Sequence, residues 1–409
     1  MSLWIDKRPA GRIMLPASKS ISHRALIAAA LAGSGQVLSP ASNADTAATL
    51  DCLRALGATF EKTGSDICVR SGLTRPNAGT VMDCGESGST LRFLIPLAGA
   101  LGASVRFRGR GRLMERPMDV YERCLRGMRL ERTDGMLTSE GQLLPGRFEL
   151  PGDVSSQFVT GLLFALPLLN GDSELVMTSP LQSGSYVDLT LDCLKDFGLV
   201  IDHSDPDIYR IPGGQHYQSR NYRVEADYSA AAFFLTAGAL GCDVSCGGLS
   251  PDSLQGDRAY LSILEQAGAR IIWDADGFLQ AAPGPLGAVT VDVSDTPDLV
   301  PPMAVLLCFC PGESVITGAA RLRIKECDRL AAVTEELNRL GARITEGPDY
   351  LKIVGVPSLT GGSCHAHNDH RIAMMVAVAA LMADGPVSID EPGCVAKSYP
   401  AFWSDFMKV

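Results

Sequence analysis

Long hydrophobic runs, an excess of positive charge and paired cysteines are what this chain lacks. No apolar stretch approaches the roughly 18 residues of a membrane-spanning helix. The opening, MSLWIDKRPAGR, has no apolar core of the kind a signal peptide carries, so the chain is expected to stay in the cytoplasm. With 36 Lys and Arg against 46 Asp and Glu, the formal net charge is −10. That argues against a coat for nucleic acid or an anionic membrane, so any anion site has to be local. The 12 cysteines form no CxxC pair and lie mostly inside apolar runs, which reads as buried thiols in a reducing compartment. No P-loop, dinucleotide-binding glycine fingerprint or GxSxG is present.

Aromatic residues make up only 6%, whereas there are 42 glycines and 24 prolines, with 46% hydrophobic residues overall. This is the composition of a globular chain rich in small side chains and turns. At 409 residues it is long enough for two domains.

One kind of segment recurs: a polar opening, a small and apolar helical run, a glycine-containing turn, then a short alternating strand. Copies begin near Ser18, Glu86, Ser155, Asp227, Pro297 and Asn368, at spacings of 68, 69, 72, 70 and 71 residues. A second kind interleaves with it, an amphipathic helix ending at a glycine, as in LDCLRALG, YERCLRG, LDCLKDFG, LSILEQAG and TEELNRLG. Those glycines, Gly57, Gly127, Gly198, Gly268 and Gly341, lie 70, 71, 70 and 73 apart and suit left-handed helix C-caps. Two markers with one period imply six β/α units, three to a domain, with the strand in WIDKRPAG completing the last. The expected division is a discontinuous domain of residues 1–16 plus 226–409 and a second of 17–225. The hinge crossovers then fall near 13–17 and 225.

The chemistry sits where the apolar helices start. A helix N-terminus presents backbone N–H groups and partial positive charge, and so suits an anion. The starts carry Lys19, Ser20 and Arg24; Gly88, Ser89 and Arg92; Ser155, Ser156 and Gln157; Asp298; and Asp369, His370 and Arg371. Connecting segments add Arg116, then Arg321, Arg323, Lys325, Glu326 and Arg329, and finally Lys397. An arginine in the first turns opposes the helix dipole, a cost that an anionic ligand offsets. Cations repeated at equivalent points of separate units are expected to face one cleft. Ser183 and Tyr186 in QSGSYVD are weaker polar candidates. Asp298 and Glu326, carboxylates among cations, suit acid and base work or salt bridging. The CHAHNDHR cluster, with Cys364, His365, His367 and His370, lacks structural-zinc spacing, so no metal is expected.

The segments LPASKSISHRAL, ESGSTLR, LMERPM, DVSSQF, TPDLVPP, RLRIKECDRL, NDHRIAM and CVAKSYPAFW resemble, in order and spacing over essentially the whole chain, the 5-enolpyruvylshikimate-3-phosphate synthase family. The resemblance implies a two-domain inverse αβ-barrel of the enolpyruvyl transferase kind, α/β in class, with three βαβαββ units per domain. It implies transfer of the carboxyvinyl group of phosphoenolpyruvate to the 5-hydroxyl of shikimate 3-phosphate, with release of phosphate and no cofactor or metal. A monomer with no nucleic-acid or membrane partner is expected. Carried over by position, Lys19 contacts both substrates. Ser20, Arg24, Ser155, Ser156, Gln157, Ser183, Asp298, Arg321 and Lys325 hold shikimate 3-phosphate. Gly88, Arg92, Arg116, Gln157, Arg329, Arg371 and Lys397 surround phosphoenolpyruvate. Asp298 is implied as the base and Glu326 as the acid. Three positions depart from the family pattern: Glu86 replaces a common asparagine, Arg321 an asparagine of some relatives, and SGSY lacks a proline. Gly88 is retained, which in this family leaves room for glyphosate. Two rival readings fit the residues less well. A UDP-N-acetylglucosamine carboxyvinyltransferase would need a lysine-asparagine pair and a reactive loop cysteine, whereas the chain has SKSISHR and Cys124 within a helical pattern. A sixfold-repeat DNA clamp would need basic helices.

Overall fold

A helix that is apolar on every face has to be surrounded by protein. The computed structural model describes residues 2–6 and 8–408. It separates into two units, Ser18–Val224 and Met1–Ala17 with Glu225–Val409. In Ser18–Val224 the helices are α1 (Lys19–Ala32), α2 (Ala44–Ala55), α3 (Gly88–Ala100), α4 (Asp119–Cys124), α5 (Ser156–Ala165) and α6 (Gly184–Asp196). Here α1, α3 and α5 are the enclosed class: every residue from 21 to 30 of α1 is buried, as are 90–99 of α3 and 158–165 of α5. Alanines at 25 and 28–30 allow close approach, and each fully buried leucine or phenylalanine beside them contributes about 1.5–3 kcal/mol.

Three four-stranded sheets cover these helices, all with one order: a parallel pair followed by a hairpin. One runs Thr80–Asp83, Val105–Arg108, Met136–Gly141, Met128–Thr133, and another Arg147–Leu150, Ser173–Met177, Ile208–Ile211, Asp202–Asp205. In the remaining sheet the leading strand is Arg220–Arg223, parallel to Gly35–Leu38, ahead of Asp66–Ser71 and Thr59–Thr63. That strand comes from the far end of the unit's own sequence. Strand residues alternate, with Ile67 and Val69 inward and Arg70 exposed, so helices are inside and sheets outside.

In the other unit the helices are α7 (Tyr228–Ala239), α8 (Tyr260–Gln266), α9 (Val300–Leu307), α10 (Arg329–Arg339), α11 (His370–Ala380) and α12 (Phe402–Phe406). The N-terminal segment supplies two sheets. Gly11–Met14 leads one sheet, parallel to Val244–Gly247, and Leu3–Ile5 lies antiparallel on Val387–Ile389 in a three-stranded sheet with Gly362–Cys364. Among the described residues no hairpin follows Val387–Ile389. The chain instead leads to α12, where Phe402 and Phe406 pack on Phe234 at ring separations of 5.9 and 6.0 Å.

Five of the six apolar helices start at a side-chain cap, with Ser18, Ser87, Ser155, Asp227 and Asp369 each accepting a backbone N–H, whereas α9 follows directly on the Pro297–Leu299 turn without one. The glycines that end the second class lie at φ of 92° (Gly57), 75° (Gly127), 82° (Gly198), 99° (Gly268) and 91° (Gly341), where a β-carbon is disfavoured. Two amphipathic helices are shorter than the pattern suggests, α4 with 6 residues and α8 with 7, the latter continuing directly from the 3-10 turn Gly256–Ala259. Neither has a side-chain cap at its start, whereas α2 has a capping box through Asn43 and Thr46, and α10 is capped by Asp328.

Candidate active site

Each unit gathers predicted residues at the starts of its helices. In Ser18–Val224, Lys19 is the first residue of α1, and its Nζ lies 3.1 Å from Asp45 Oδ2 in the first turn of α2. Arg24 is enclosed in the same helix. Its guanidinium donates to Ser20 O at 2.7 Å, Thr190 Oγ1 at 2.9 Å, Tyr186 O at 2.7 Å and Thr160 Oγ1 at 3.5 Å. Four of its five N–H groups are therefore used internally, tying α1 to α5 and α6. Burial lowers its pKa to about 10, which leaves it cationic at neutral pH. Ser183, expected on the phosphate side, is buried in a left-handed conformation (φ 57°) just before α6, its carbonyl accepting from Tyr186 N at 3.1 Å.

The second gathering surrounds Gly88, at the start of α3. A β-carbon there would sit 2.9 Å from Arg116 Nη1, 3.3 Å from Arg92 Nη1 and 3.3 Å from Gln157 Oε1. Arg92 donates to Gln157 Oε1 at 2.6 Å and lies over the Phe158 ring, and Gln157 Nε2 donates to Ser89 Oγ at 3.0 Å. Ser155 uses its hydroxyl as the α5 cap, accepting from Gln157 N, and Ser156 is the buried first residue of that helix. Glu86 turns toward Gly111, whose β-carbon would lie 2.7 Å from Glu86 Oε2.

In the other unit the gathering centres on Arg329, the first residue of α10, only 1% exposed. It donates to Asp298 Oδ1 at 2.8 Å, Glu326 Oε2 at 2.6 Å and Asp369 Oδ2 at 2.7 Å. Asp298, in the turn before α9, also meets Arg371 Nη2 at 2.9 Å and Lys325 Nζ at 3.4 Å. Three cations (Lys325, Arg329, Arg371) thus face three carboxylates (Asp298, Glu326, Asp369). Asp369 is fully buried and caps α11 through the N–H of Arg371. Arg321 donates to Ser294 O, and Lys397 to Asn368 O. Burial alone would raise the Asp298 carboxyl, but the positive charges of Arg371, Lys325 and Arg329 outweigh it and hold the group well below the usual carboxylate range. Burial lowers the Lys325 ammonium, against the pull of Asp298.

Against this geometry, the family model described as EPSP synthase (3-phosphoshikimate 1-carboxyvinyltransferase) matches residues 5–406. The chain belongs to the EPSP synthase family. It is 43% identical over 403 residues to the 3-phosphoshikimate 1-carboxyvinyltransferase of Clostridium perfringens strain SM101, covering 97% of this chain and 95% of that protein. The Clostridium kluyveri protein of the same name is 43% identical over 405 residues, covering 97% and 94%. Among solved structures, EPSP synthase from Acinetobacter baumannii superposes with a TM-score of 0.80 at 26% identity, covering 99% of this chain and 97% of that one. The enolpyruvyl transferase NikO from Streptomyces tendae shares the fold with a TM-score of 0.79 at 19% identity. The architecture is that family's two-domain inverse αβ-barrel.

Two residues that matter to this EPSP synthase-like geometry escaped sequence reasoning. Asp45 is the carboxylate on Lys19, and the only local signal was an acidic residue in the first turn of an amphipathic helix. Asp257 accepts from the Ser229 hydroxyl, and burial followed by the negative charge of Asp298 pushes its pKa up to about 6. The CHAHNDHR residues do not meet as one ligand set. His365 pairs with Asp390 and His367 Nε2 with Glu336 Oε1 at 2.9 Å, while Cys364 and His370 are buried. Among the described residues one group has metal-compatible spacing, Glu335, Glu336 and His367, and Arg339 bridges both of its glutamates at 2.8 and 3.2 Å.

Proposed function

We propose that this chain transfers the enolpyruvyl group of phosphoenolpyruvate to the 5-hydroxyl of shikimate 3-phosphate, a step of aromatic amino-acid biosynthesis. The observation that carries the reading, given the whole-chain family match, is that one buried guanidinium holds Asp298 and Glu326 together, at 2.8 and 2.6 Å. Asp298 takes the proton of the 5-hydroxyl, whose oxygen attacks C2 of phosphoenolpyruvate as Glu326, which acts in its protonated form once the substrates have drawn Arg329 toward their charge, delivers its own proton to C3. The resulting tetrahedral adduct then loses phosphate, which takes the proton held by Asp298, while the Glu326 carboxylate takes a C3 proton back, restoring the double bond and both side chains. Positioned groups of this kind contribute about 10² to 10⁴ in rate.

As a resting carboxylate held far below its ordinary pKa, Asp298 is a weak base. An anionic substrate drawn to Arg371 and Lys325 shares their charge, so its arrival raises the Asp298 pKa and makes the base competent. Lys19 contacts both substrates. Ser20, Arg24, Ser155, Ser156, Gln157, Ser183, Arg321 and Lys325 serve shikimate 3-phosphate; Gly88, Arg92, Arg116, Gln157, Arg329, Arg371 and Lys397 serve phosphoenolpyruvate. Arg24, with one N–H left, acts mainly by holding the start of α6. The acid and base are side chains, so chelators should leave the rate unchanged.

The rival acceptor, UDP-N-acetylglucosamine, calls for a reactive cysteine. Cys124, at the end of α4, has its thiol pushed up to about 12 by burial, which makes it a poor nucleophile. The reading includes a monomer acting in the cytoplasm without nucleic acid; no helix among the described residues is long and apolar enough to cross a membrane. Phosphate release should require phosphoenolpyruvate together with shikimate 3-phosphate. Equal release with UDP-N-acetylglucosamine as acceptor would refute the assignment.

A further inference from the structure

Behind Lys19 and Gly88 lies a row of polar side chains that no reaction step uses. His23 on α1, Thr49 on α2, Thr90 on α3 and Ser87, the α3 cap, are all buried. His23 Nδ1 lies 2.7 Å from Thr49 Oγ1, Thr49 Oγ1 lies 2.6 Å from Thr90 Oγ1, and Thr90 Oγ1 lies 2.7 Å from Ser87 Oγ. Thr90 Oγ1 also comes within 3.5 Å of the Asp45 carbonyl.

We propose that these residues form a one-way hydrogen-bond relay that positions Lys19 and the start of α3 for the transfer reaction, with His23 held as its Nδ1–H tautomer. The direction follows from proton counting. A hydroxyl has a single hydrogen, and Thr90 donates its own to Ser87 Oγ or to the Asp45 carbonyl, which cannot donate back. Thr90 must then accept from Thr49, and Thr49, its hydrogen spent, must accept from His23. His23 Nδ1 therefore carries the proton. Nε2 carries a lone pair and has no hydrogen-bond partner among the described residues, and the ring stands edge-on to Phe93 at 6.5 Å. Burial, then the charges of Lys19 and Arg24, push the imidazole well below its ordinary range, so it works neutral.

The location gives the relay its task. Lys19 and His23 are one turn apart on α1, as Asp45 and Thr49 are on α2, so the Lys19–Asp45 ion pair and the His23–Thr49 bond are successive rungs between the same two helices. Thr90 extends the second rung to α3, one turn past its cap and next to Gly88, where Arg92, Arg116 and Gln157 converge. Dry polar groups cost stability relative to a shape-matched apolar set. What they add is a single relative placement of three helix starts.

The proposal rests on the function above for the roles of Lys19 and Gly88, and its test separates the two. A long-range proton–nitrogen spectrum of the wild-type imidazoles should show His23 protonated at Nδ1 and bare at Nε2 from pH 6 to 8. An Nε2–H tautomer overturns the relay, and this readout needs no turnover. In the transfer assay, Thr49→Val and Thr90→Val should lower kcat about tenfold to a hundredfold, the scale of a misplaced reacting group, while Thr49→Ser and Thr90→Ser stay within about threefold. The triple variant His23→Leu, Thr49→Val, Thr90→Val removes both partners of the two inner bonds and leaves Ser87 Oγ accepting the backbone N–H of residue 90, and should keep its melting midpoint while losing kcat. Normal kcat in that variant overturns the positioning role. An inactive wild-type protein refutes the proposed function and leaves the spectrum to judge the relay.

Discussion

Replacing Arg329 by methionine removes one charge from a connected group of three cations and three carboxylates while keeping the side chain's length. In the native protein the guanidinium makes contacts of 2.6, 2.7 and 2.8 Å to three different carboxylates at 1% exposure. Lys325 and Arg371 both reach Asp298, so Glu326 and Asp369 lose most by the change. Breaking a buried pair from one side costs about 3–5 kcal/mol. At about 2–4 °C per kcal/mol for a unit near 200 residues, the melting midpoint should fall by roughly 6 to 20 °C at pH 7. The pH dependence carries a sign. Asp298 has a folded pKa below its unfolded one, so its stabilising contribution is present above about pH 4 and is lost as pH falls through the folded value. Arg329→Met shrinks that contribution, so the gap between variant and wild type should be widest near neutrality and close on acidification. Thermal unfolding followed by circular dichroism from about pH 2 to 8 measures it, since the loss falls below the ordinary carboxylate range. A shift below 2 °C at pH 7, or a gap that widens in acid, refutes the reasoning.

Gly88→Ala should press on Arg116 and Gln157 and raise KM for phosphoenolpyruvate by about tenfold, weakening glyphosate inhibition at the same time; steady-state kinetics with both ligands checks this. Asp257→Asn should raise stability above pH 6, by about 1–3 kcal/mol at most, because the native carboxyl gives up at about 6 a proton that the unfolded chain gives up near 3.8. The benefit builds between the unfolded and folded values, so urea titrations at about pH 4 and 7.5 should show little of it at the lower pH and nearly all of it at the higher. His367 is raised by its bond to Glu336, so its contribution is present below its ordinary pKa of 6.5 and fades as pH rises through the folded value. His367→Gln should therefore destabilise more at pH 6 than at pH 8.5, read from melting midpoints.

The period near 70 was legible because its markers are local: a cap, a run of small apolar residues, a glycine at the helix end. Strand exchange was less so. Arg220–Arg223 and Gly11–Met14 are four-residue strands whose partners, Gly35–Leu38 and Val244–Gly247, lie far off in sequence, and nothing within either strand names its neighbour. The cations were legible as a set, but their resting partners were not. Arg329 was expected around phosphoenolpyruvate, yet three carboxylates from three segments already surround it. Arg24 spends its donors on α5 and α6, and Asp45 and Asp257 acquire meaning only through contacts with α1 and α7. A carboxylate's role depends on which helix start it meets, and that is decided by packing.

The mechanism requires a methyl stage at C3, so transfer run in heavy water is its most direct measurement. Mass spectrometry of the product should show solvent deuterium in the vinyl group, with Glu326→Gln and Asp298→Asn each slowing product formation at least about a hundredfold. A product free of deuterium, formed at an undiminished rate by both variants, would contradict the account.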